Sequence, residues 1–156
     1  MSFKSRSCIQ SGNVFYDKKV YEKAAENYKK GIEKEPEVAV YHSNLILTYT
    51  QLNKPDEAEK AYSKAIDIDP ANPVYLNQLG DAFYENWDNE RAAEQYVRAL
   101  EIDPEVRDYI PKLIITCERL SYSNKDKALS LLQTAAKYGQ DNVELIQAID
   151  RLKGNI

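Results

Sequence analysis

Apolar and small residues recur along the chain every 34 residues, separated by charged and polar stretches. Five series share this spacing: Phe15, Tyr49 and Phe83; Ala24, Ala58 and Ala92; Tyr28, Tyr62 and Tyr96; Gly31, Ala65 and Ala99; and Pro36, Pro70 and Pro104. A fixed period of about 20 to 50 residues is typical of repeat proteins, in which neighbouring units bury apolar surface against each other. The pattern therefore predicts a single domain of stacked, similar units.

The residues between these series predict an all-α fold. Segment 55–57 reads Pro-Asp-Glu, which suits the first turn of a helix. Each repeated proline discourages a continuous helix through the residue before it. Small residues such as Gly12 and Ala24 should let two helices pack closely, and we expect the rings of Tyr28, Tyr62 and Tyr96 to fill the space between one helical pair and the next.

The chain resembles the tetratricopeptide repeat family, whose pattern is W-x2-L-G-x2-Y, then A-x3-F, then P. One 34-residue unit carries every element except the first aromatic, as Leu76, Leu79, Gly80, Phe83, Ala92, Tyr96 and Pro104. We place regular units at 5–38, 39–72 and 73–106. The resemblance implies a right-handed superhelix of antiparallel helical hairpins.

A fourth, degenerate unit is expected at 107–140. Cys117 and Ala128 are eleven residues apart, where Tyr49 and Ala58 are nine apart, so we expect a two-residue insertion in the turn near Tyr122. A closing helix is expected at 141–153. Its apolar face, with Val143, Ile146 and Ile149, should cover the end of the stack.

The resemblance also implies a binding groove, because the first helix of each hairpin lines the concave face in this family. The positions carried over as a peptide-binding site are Asn13, Tyr16, Asn44, Leu47, Gln51, Asn77, Gln78, Asp81 and Tyr84. Amide side chains both donate and accept hydrogen bonds, so they suit the backbone of an extended peptide. The alternative is that these are polar residues on a solvated helix face.

Co-chaperone members of the family hold an acidic C-terminal tail with a clamp of Lys, Arg and Asn. Asn13 and Asn44 match its two Asn positions, but its basic positions are Ile9, Val74 and Gln78 here. A carboxylate would find no charge-assisted partner, so we expect the clamp to be absent. Residues 55–108 contain fourteen acids and five bases, a net charge of −9, which favours a neutral or basic partner.

Composition and charge exclude several other functions. Residues 1–34 carry eight bases and four acids and the remainder thirteen bases and twenty-one acids, which does not form the concentrated basic face that nucleic acids require. No apolar run is long enough to span a membrane, and the basic opening residues are not followed by the hydrophobic stretch of a secretory signal. A mature chain exported after processing would look the same. We find no metal-ligand spacing, cofactor loop or nucleophile motif, so neither an enzyme nor a cofactor is predicted.

Four residues stand apart from these patterns. Trp87 falls in a turn where the family usually has Gly, and it is either an exposed anchor for a partner or a ring folded over its own hairpin. His42 takes the first aromatic position of its unit and is predicted to pack there. Cys8 and Cys117 also fall on repeated positions and are predicted to be buried, inert thiols.

The sequence therefore predicts a cytoplasmic adaptor or scaffold whose groove holds a peptide or a helix of another protein. Two alternatives remain open: self-assembly into oligomers, and a small secretion-type chaperone. The chain begins almost directly at the first unit, which is compatible with a complete protein, a module of a longer one, or an engineered chain.

Overall fold

The computed structural model describes residues 3–105, 108–139 and 142–154, and within these ranges every regular element is an α-helix. The helices are α1 (Phe3–Asp17), α2 (Tyr21–Lys34), α3 (Ala39–Gln51), α4 (Pro55–Ile68), α5 (Pro73–Glu85), α6 (Asn89–Ile102), α7 (Tyr109–Ser121), α8 (Lys125–Tyr138) and α9 (Val143–Lys153). They form an all-α solenoid, as predicted. The exact boundaries of the repeat units stay a prediction.

Each odd-numbered helix from α1 to α7 forms a hairpin with the helix that follows it, through a turn of three residues. In the first three turns one residue has a positive φ: Lys19 at 58°, Asn53 at 54° and Trp87 at 64°. In each of these turns the next residue donates its N–H to a carbonyl five residues back, as Asp88 does to Phe83 over 3.0 Å. This is the helix-ending arrangement in which a left-handed residue closes the last turn.

The fourth hairpin differs, but not in the way that the sequence suggested. The turn between α7 and α8 is residues 122–124, as short as the others, so the expected insertion in the turn is not there. Instead, α7 continues four residues beyond Cys117, whereas α5 ends two residues beyond the equivalent Phe83. Both helices have 13 residues, so the two extra residues move the end of α7 along the chain and leave its length unchanged.

Aromatic rings and glycines fit together inside the hairpins. A Cβ on Gly80 would lie 2.6 Å from the ring of Tyr96, and one on Gly12 would meet the ring of Tyr28. The rings of Tyr28 and Tyr96 therefore pack against the partner helix of their own hairpin, which corrects the expectation that they lie between hairpins. Between the first two hairpins it is the fully buried ring of Tyr41 that packs against Gly31.

The closing helix α9 packs against α7 and α8 through Leu145, Ala148 and Leu152. The predicted face was wrong: Val143 and Ile146 are 62% and 48% exposed, and Ile149 is only partly buried. Two apolar stripes lie on this helix. Periodicity alone does not report which of the two faces the stack.

The remaining sequence expectations concern single buried residues. His42, Cys8 and Cys117 are buried as predicted, at 7%, 8% and 0% exposure. Burial and, to a lesser degree, Glu118 raise the pKa of the Cys117 thiol to about 12. Among the described residues, no helix is long and apolar enough to cross a membrane.

Candidate binding groove

A stripe of side chains on the first helix of each hairpin forms the candidate site. An α-helix turns about 100° per residue, so residues seven and eleven positions apart lie within about 20° of the same face. In α3 this stripe holds Val40, Leu47 and Gln51, and in α5 it holds Val74, Asp81 and Glu85. Because α3 packs directly on α5, the two stripes lie side by side.

Two cavities open onto this face. The larger has a volume of about 250 Å³ and is lined by Leu47, Thr50, Gln51, Asp81, Tyr84, Glu85, Tyr96, Lys112 and Ile115. The smaller has a volume of about 160 Å³ and is lined by Asn13, Tyr16, Asp17, Tyr28, Asn44 and Leu47. Leu47 borders both, so the cavities form one groove that runs across α1, α3, α5 and α7.

The smaller cavity contains a hydrogen-bonded cluster built on amide side chains, called here the amide centre. The buried Tyr28 hydroxyl donates to Asn13 Oδ1 over 2.8 Å, and Asn44 Nδ2 approaches the same oxygen at 3.4 Å. Burial, with smaller effects from Tyr16 and Asp17, raises the pKa of Tyr28 to about 12, so its hydroxyl stays a donor at neutral pH. Among the described residues the Asn44 side chain has this one long hydrogen bond, so it keeps capacity for a partner.

Two hairpins later, Asp81 stands at the position of the repeat that Asn13 has in the first hairpin, and it forms a charged centre with Lys112. The Tyr96 hydroxyl donates to Asp81 Oδ1 over 2.7 Å, and Lys112 Nζ lies 2.8 Å from both Asp81 oxygens. Burial and the adjacent Asp81 raise the pKa of Tyr96. The carboxylate is therefore satisfied from two sides, and its charge is balanced by Lys112.

The hairpin between these centres has an apolar residue instead. Leu47 takes the register of Asn13 and Asp81, so it offers no acceptor to the Tyr62 hydroxyl. That hydroxyl is approached by Arg98 Nη2, at 3.5 Å, from another direction. Along the groove, this position of the repeat is therefore an amide in the first hairpin, apolar in the second and charged in the third.

Most of the predicted site residues are brought together. Seven of them line the two cavities: Asn13, Tyr16, Asn44, Leu47, Gln51, Asp81 and Tyr84. Gln78 is 8% exposed and its Oε1 accepts from Ser43 Oγ at 3.1 Å, while Asn77 lines neither cavity. That any of these residues binds a peptide stays a prediction.

The cavity walls also include residues that the site prediction lacked. Tyr28 and Tyr96 come from second helices, and their repeated spacing alone does not show which neighbour each ring faces. Lys112 belongs to the register of Asn44 and Gln78, and alignment of the units places it in the groove. Its pairing with Asp81 could not be seen, because it depends on how two hairpins stack.

Arg119 connects one edge of the groove to the exposed Trp87. Its guanidinium carbon lies 4.3 Å from the centre of the Tyr84 ring and 4.9 Å from that of Trp87. Trp87 is 73% exposed, so its ring is not folded beneath its own hairpin. The ring is exposed, which is one of the two predicted arrangements, and its contact with Arg119 of the next hairpin was not predicted. That Trp87 anchors a partner stays a prediction.

Besides Asp81, two carboxylates line the groove cavities, those of Asp17 and Glu85. Among the described residues neither Asp17 nor Glu85 forms an ion pair. The same part of the chain contains no group of three or more His, Cys, Asp or Glu side chains that could hold a metal ion. The groove therefore offers hydrogen bonds, apolar area and unbalanced negative charge.

Comparison with known proteins assigns the family. A model described as TPR repeat matches residues 47–86, and a model described as tetratricopeptide repeat matches residues 74–106. The first TPR domain of the human RPAP3 protein has a similar fold, with a TM-score of 0.70 and 22% identity over 78% of this chain and 96% of that one. The chain belongs to the tetratricopeptide repeat family. Its relatives are generally non-catalytic interaction modules.

Other solved tetratricopeptide repeat structures show the same fold. The first TPR of Spaghetti (RPAP3), bound to the HSP90 peptide SRMEEVD, has a TM-score of 0.69 and 24% identity, covering 78% of this chain and 96% of that one. The protein MamA has a TM-score of 0.70 and 20% identity, covering 99% of this chain and 85% of that one. No curated protein sequence matches the tetratricopeptide chain described here.

Proposed function

We propose that this tetratricopeptide repeat domain is an adaptor or scaffold that holds a segment of another protein in the groove across α1, α3, α5 and α7. The observation that carries the proposal is the pair of cavities joined at Leu47. A bound chain would find hydrogen-bonding amides at one end, apolar area in the middle and a charged pair at the other. Ligand sites typically combine apolar walls with a few placed polar groups in this way.

The proposed mode of binding does not use a two-carboxylate clamp. Ile9, Val74 and Gln78, at the positions where clamp members carry cations, provide no positive charge. Of the two acidic residues at the far end of the groove, Asp81 and Glu85, Asp81 is balanced by Lys112. Glu85 alone remains, so the lack of cations, more than repulsion, argues against an acidic ligand.

The cytoplasm is the compartment that we propose. Cys8 in α1 and Cys117 in α7 are both free and buried. Free thiols are usual where the environment is reducing.

A pull-down from lysate of the source cells tests this function. The triple variant Asn44→Ala, Leu47→Ala and Gln51→Ala removes groove side chains from α3. The control Glu57→Ala, Lys60→Ala and Lys64→Ala changes exposed residues of α4. We expect the groove variant to lose about tenfold or more of the captured partner, as when binding hot spots are truncated, and the control to retain it. Equal capture by both folded variants would overturn the proposal.

End-to-end self-association is a second candidate function. It is favoured by the exposed apolar residues Val143 and Ile146 on α9, at one end of the stack. Sedimentation velocity at several concentrations tests it. Association that grows with concentration and is abolished by Ile146→Asp is expected, and a monomer at all concentrations would contradict it.

A further inference from the structure

The two edges of the groove differ in chemistry. Val40 and Val74 lie at the start of α3 and α5, in the same register, and are 41% and 44% exposed. Gln51 and Glu85 lie at the other end of the same stripes and are also exposed. One edge is therefore apolar and the other is polar with an unpaired carboxylate.

Glu85 is the carboxylate of the polar edge that has no basic residue next to it in the sequence. Lys18 and Lys19 directly follow Asp17 in the sequence, so the first hairpin adds no net negative charge there. Arg119 takes the register of Glu85 in α7, but its guanidinium is held over the rings of Tyr84 and Trp87. A basic group of a partner is therefore best placed opposite α5.

The distance between the edges is set by the helix. Val74 and Glu85 are eleven residues apart, which at about 1.5 Å per residue gives about 16 Å along α5. A helix with its side chains is about 10 to 12 Å across, so it fills most of this width. Long Lys or Arg side chains on one flank cover the remainder.

The spacing of the repeat selects between the two shapes a partner could have. Helices that pack directly, as α3 and α5 do, lie about 8 to 10 Å apart. Residues i and i+7 of a partner helix share a face and are about 10.5 Å apart, just above the upper end of this range. In an extended segment, same-side residues are spaced by about 6.6 Å or 13 Å, and neither value matches.

We propose that the groove binds an amphipathic helix with a basic flank. Apolar side chains two turns apart contact Val40 and Val74 and cover Leu47, and Lys or Arg side chains on the flank face Glu85. This inference rests on the proposed function and specifies its partner: a helical segment that is apolar on one face and basic on the side next to it.

Two synthetic peptides of the same composition test the inference. Both contain Leu, Lys, Ala and Gln in about 18 residues, roughly five helical turns. In one, Leu recurs at i, i+3, i+4 and i+7 with Lys on the flank, and in the other Leu and Lys alternate as in a strand. Binding is measured by fluorescence anisotropy, and the contacted residues are identified by amide chemical-shift changes.

The variants Glu85→Lys and Glu57→Lys separate a local contact from general attraction. Both change the net charge equally, but Glu57 is an exposed residue of α4 outside the groove. We expect the helix-patterned peptide to bind at least about tenfold more tightly than the alternating one. Glu85→Lys should weaken it by about tenfold, and Glu57→Lys by less than about twofold. Val74→Ser should weaken it as well.

Results that differ from these contradict the proposal that the partner is a helix. Equal or tighter binding of the alternating peptide, equal effects of the two charge reversals, or no binding by either peptide would overturn the inference. If the alternating peptide binds more tightly but shifts the amides of α3 and α5, the proposed function stands and only the helix is wrong. If the shifts lie outside the groove, the proposed function fails too.

Discussion

The ammonium of Lys112 in α7 lies 2.8 Å from both carboxylate oxygens of Asp81 in α5. The buried hydroxyl of Tyr96 in α6 donates to one of the same oxygens. Asn13 accepts in the same way from Tyr28 and Asn44. One position of the repeat thus connects the second helix of its own hairpin to the first helix of the next, by amides in one unit and by charges in another.

Replacement of Asp81 should destabilise the fold more than replacement of Lys112. Asp81→Ala leaves the buried Tyr96 hydroxyl without its acceptor, which costs about 1–3 kcal/mol. Lys112→Met removes only a pair whose side chains are 44% and 29% exposed, worth about 0–1 kcal/mol. Urea unfolding measures both. In a Tyr96→Phe background the cost of Asp81→Ala should fall, and an unchanged cost would show that the hydroxyl is not the reason.

A methyl group at Gly31 should not be tolerated, even though Ala65 and Ala99 occupy the same register. The added Cβ overlaps the ring of Tyr41, which is fully buried. We expect Gly31→Ala to lower the free energy of unfolding by about 1–3 kcal/mol despite the better helix propensity of Ala.

Gly139→Ala is the matched control for that change, because its nearest neighbour would be the Leu145 side chain at 3.4 Å. It should change stability by less than about 0.5 kcal/mol. A Gly31→Ala protein as stable as the wild type would show that the two hairpins can separate at this point.

Trp87 should contribute little to stability. Its φ of 64° costs a bulky residue about 1–2 kcal/mol, while its contact with Arg119 returns about 0.5–1 kcal/mol. Asn tolerates this conformation, as at Asn53. We therefore expect Trp87→Asn to leave the free energy of unfolding, measured by urea unfolding, unchanged or to raise it by up to about 1 kcal/mol.

Tyr122→Asn serves as the comparison for Trp87, since Tyr122 is 94% exposed and has a right-handed φ of −69° with no strain to relieve. It should have no measurable effect. A loss of more than about 1 kcal/mol in Trp87→Asn would mean that the ring packs better than its exposure indicates.

The peptide SRMEEVD should not bind this domain. Without cations at Ile9, Val74 and Gln78, we expect no saturable anisotropy change below about 1 mM peptide. The double variant Ile9→Lys and Val74→Lys supplies two of the missing charges and should bind at least about tenfold more tightly. Micromolar binding by the wild type would show that the groove recognises carboxylates in another way.

The sequence predicted the helices and hairpins well, because the residues that pack inside and between units recur every 34 residues. It was less informative where two arrangements share one pattern. Val143 and Ile146 form an apolar stripe on α9, as Leu145 and Ala148 do. The hydrophobic pattern alone does not show which of the two stripes faces the stack. The Tyr28 and Tyr96 rings illustrate the same limit, since a ladder of tyrosines does not say which helix each ring meets.

The groove was predictable as a set of positions but not as a set of contacts. Leu47, Gln51 and Tyr84 follow from the register of the repeat, and they do line a cavity. Gln78 has the same kind of register but is buried against Ser43, because the side chain opposite it happens to be a donor. The pairing of Lys112 with Asp81 depends likewise on the stacking of two hairpins.

Photo-crosslinking most directly tests whether the groove holds a protein. A benzoylphenylalanine is placed at Leu47 in one variant and at Lys64, an exposed residue of α4, in another, and both are irradiated in the source cells. A discrete crosslinked partner from position 47 and none from position 64 is the predicted result. Crosslinks from position 64 alone, or the same partner from both positions, would contradict the assignment of the groove as the binding face.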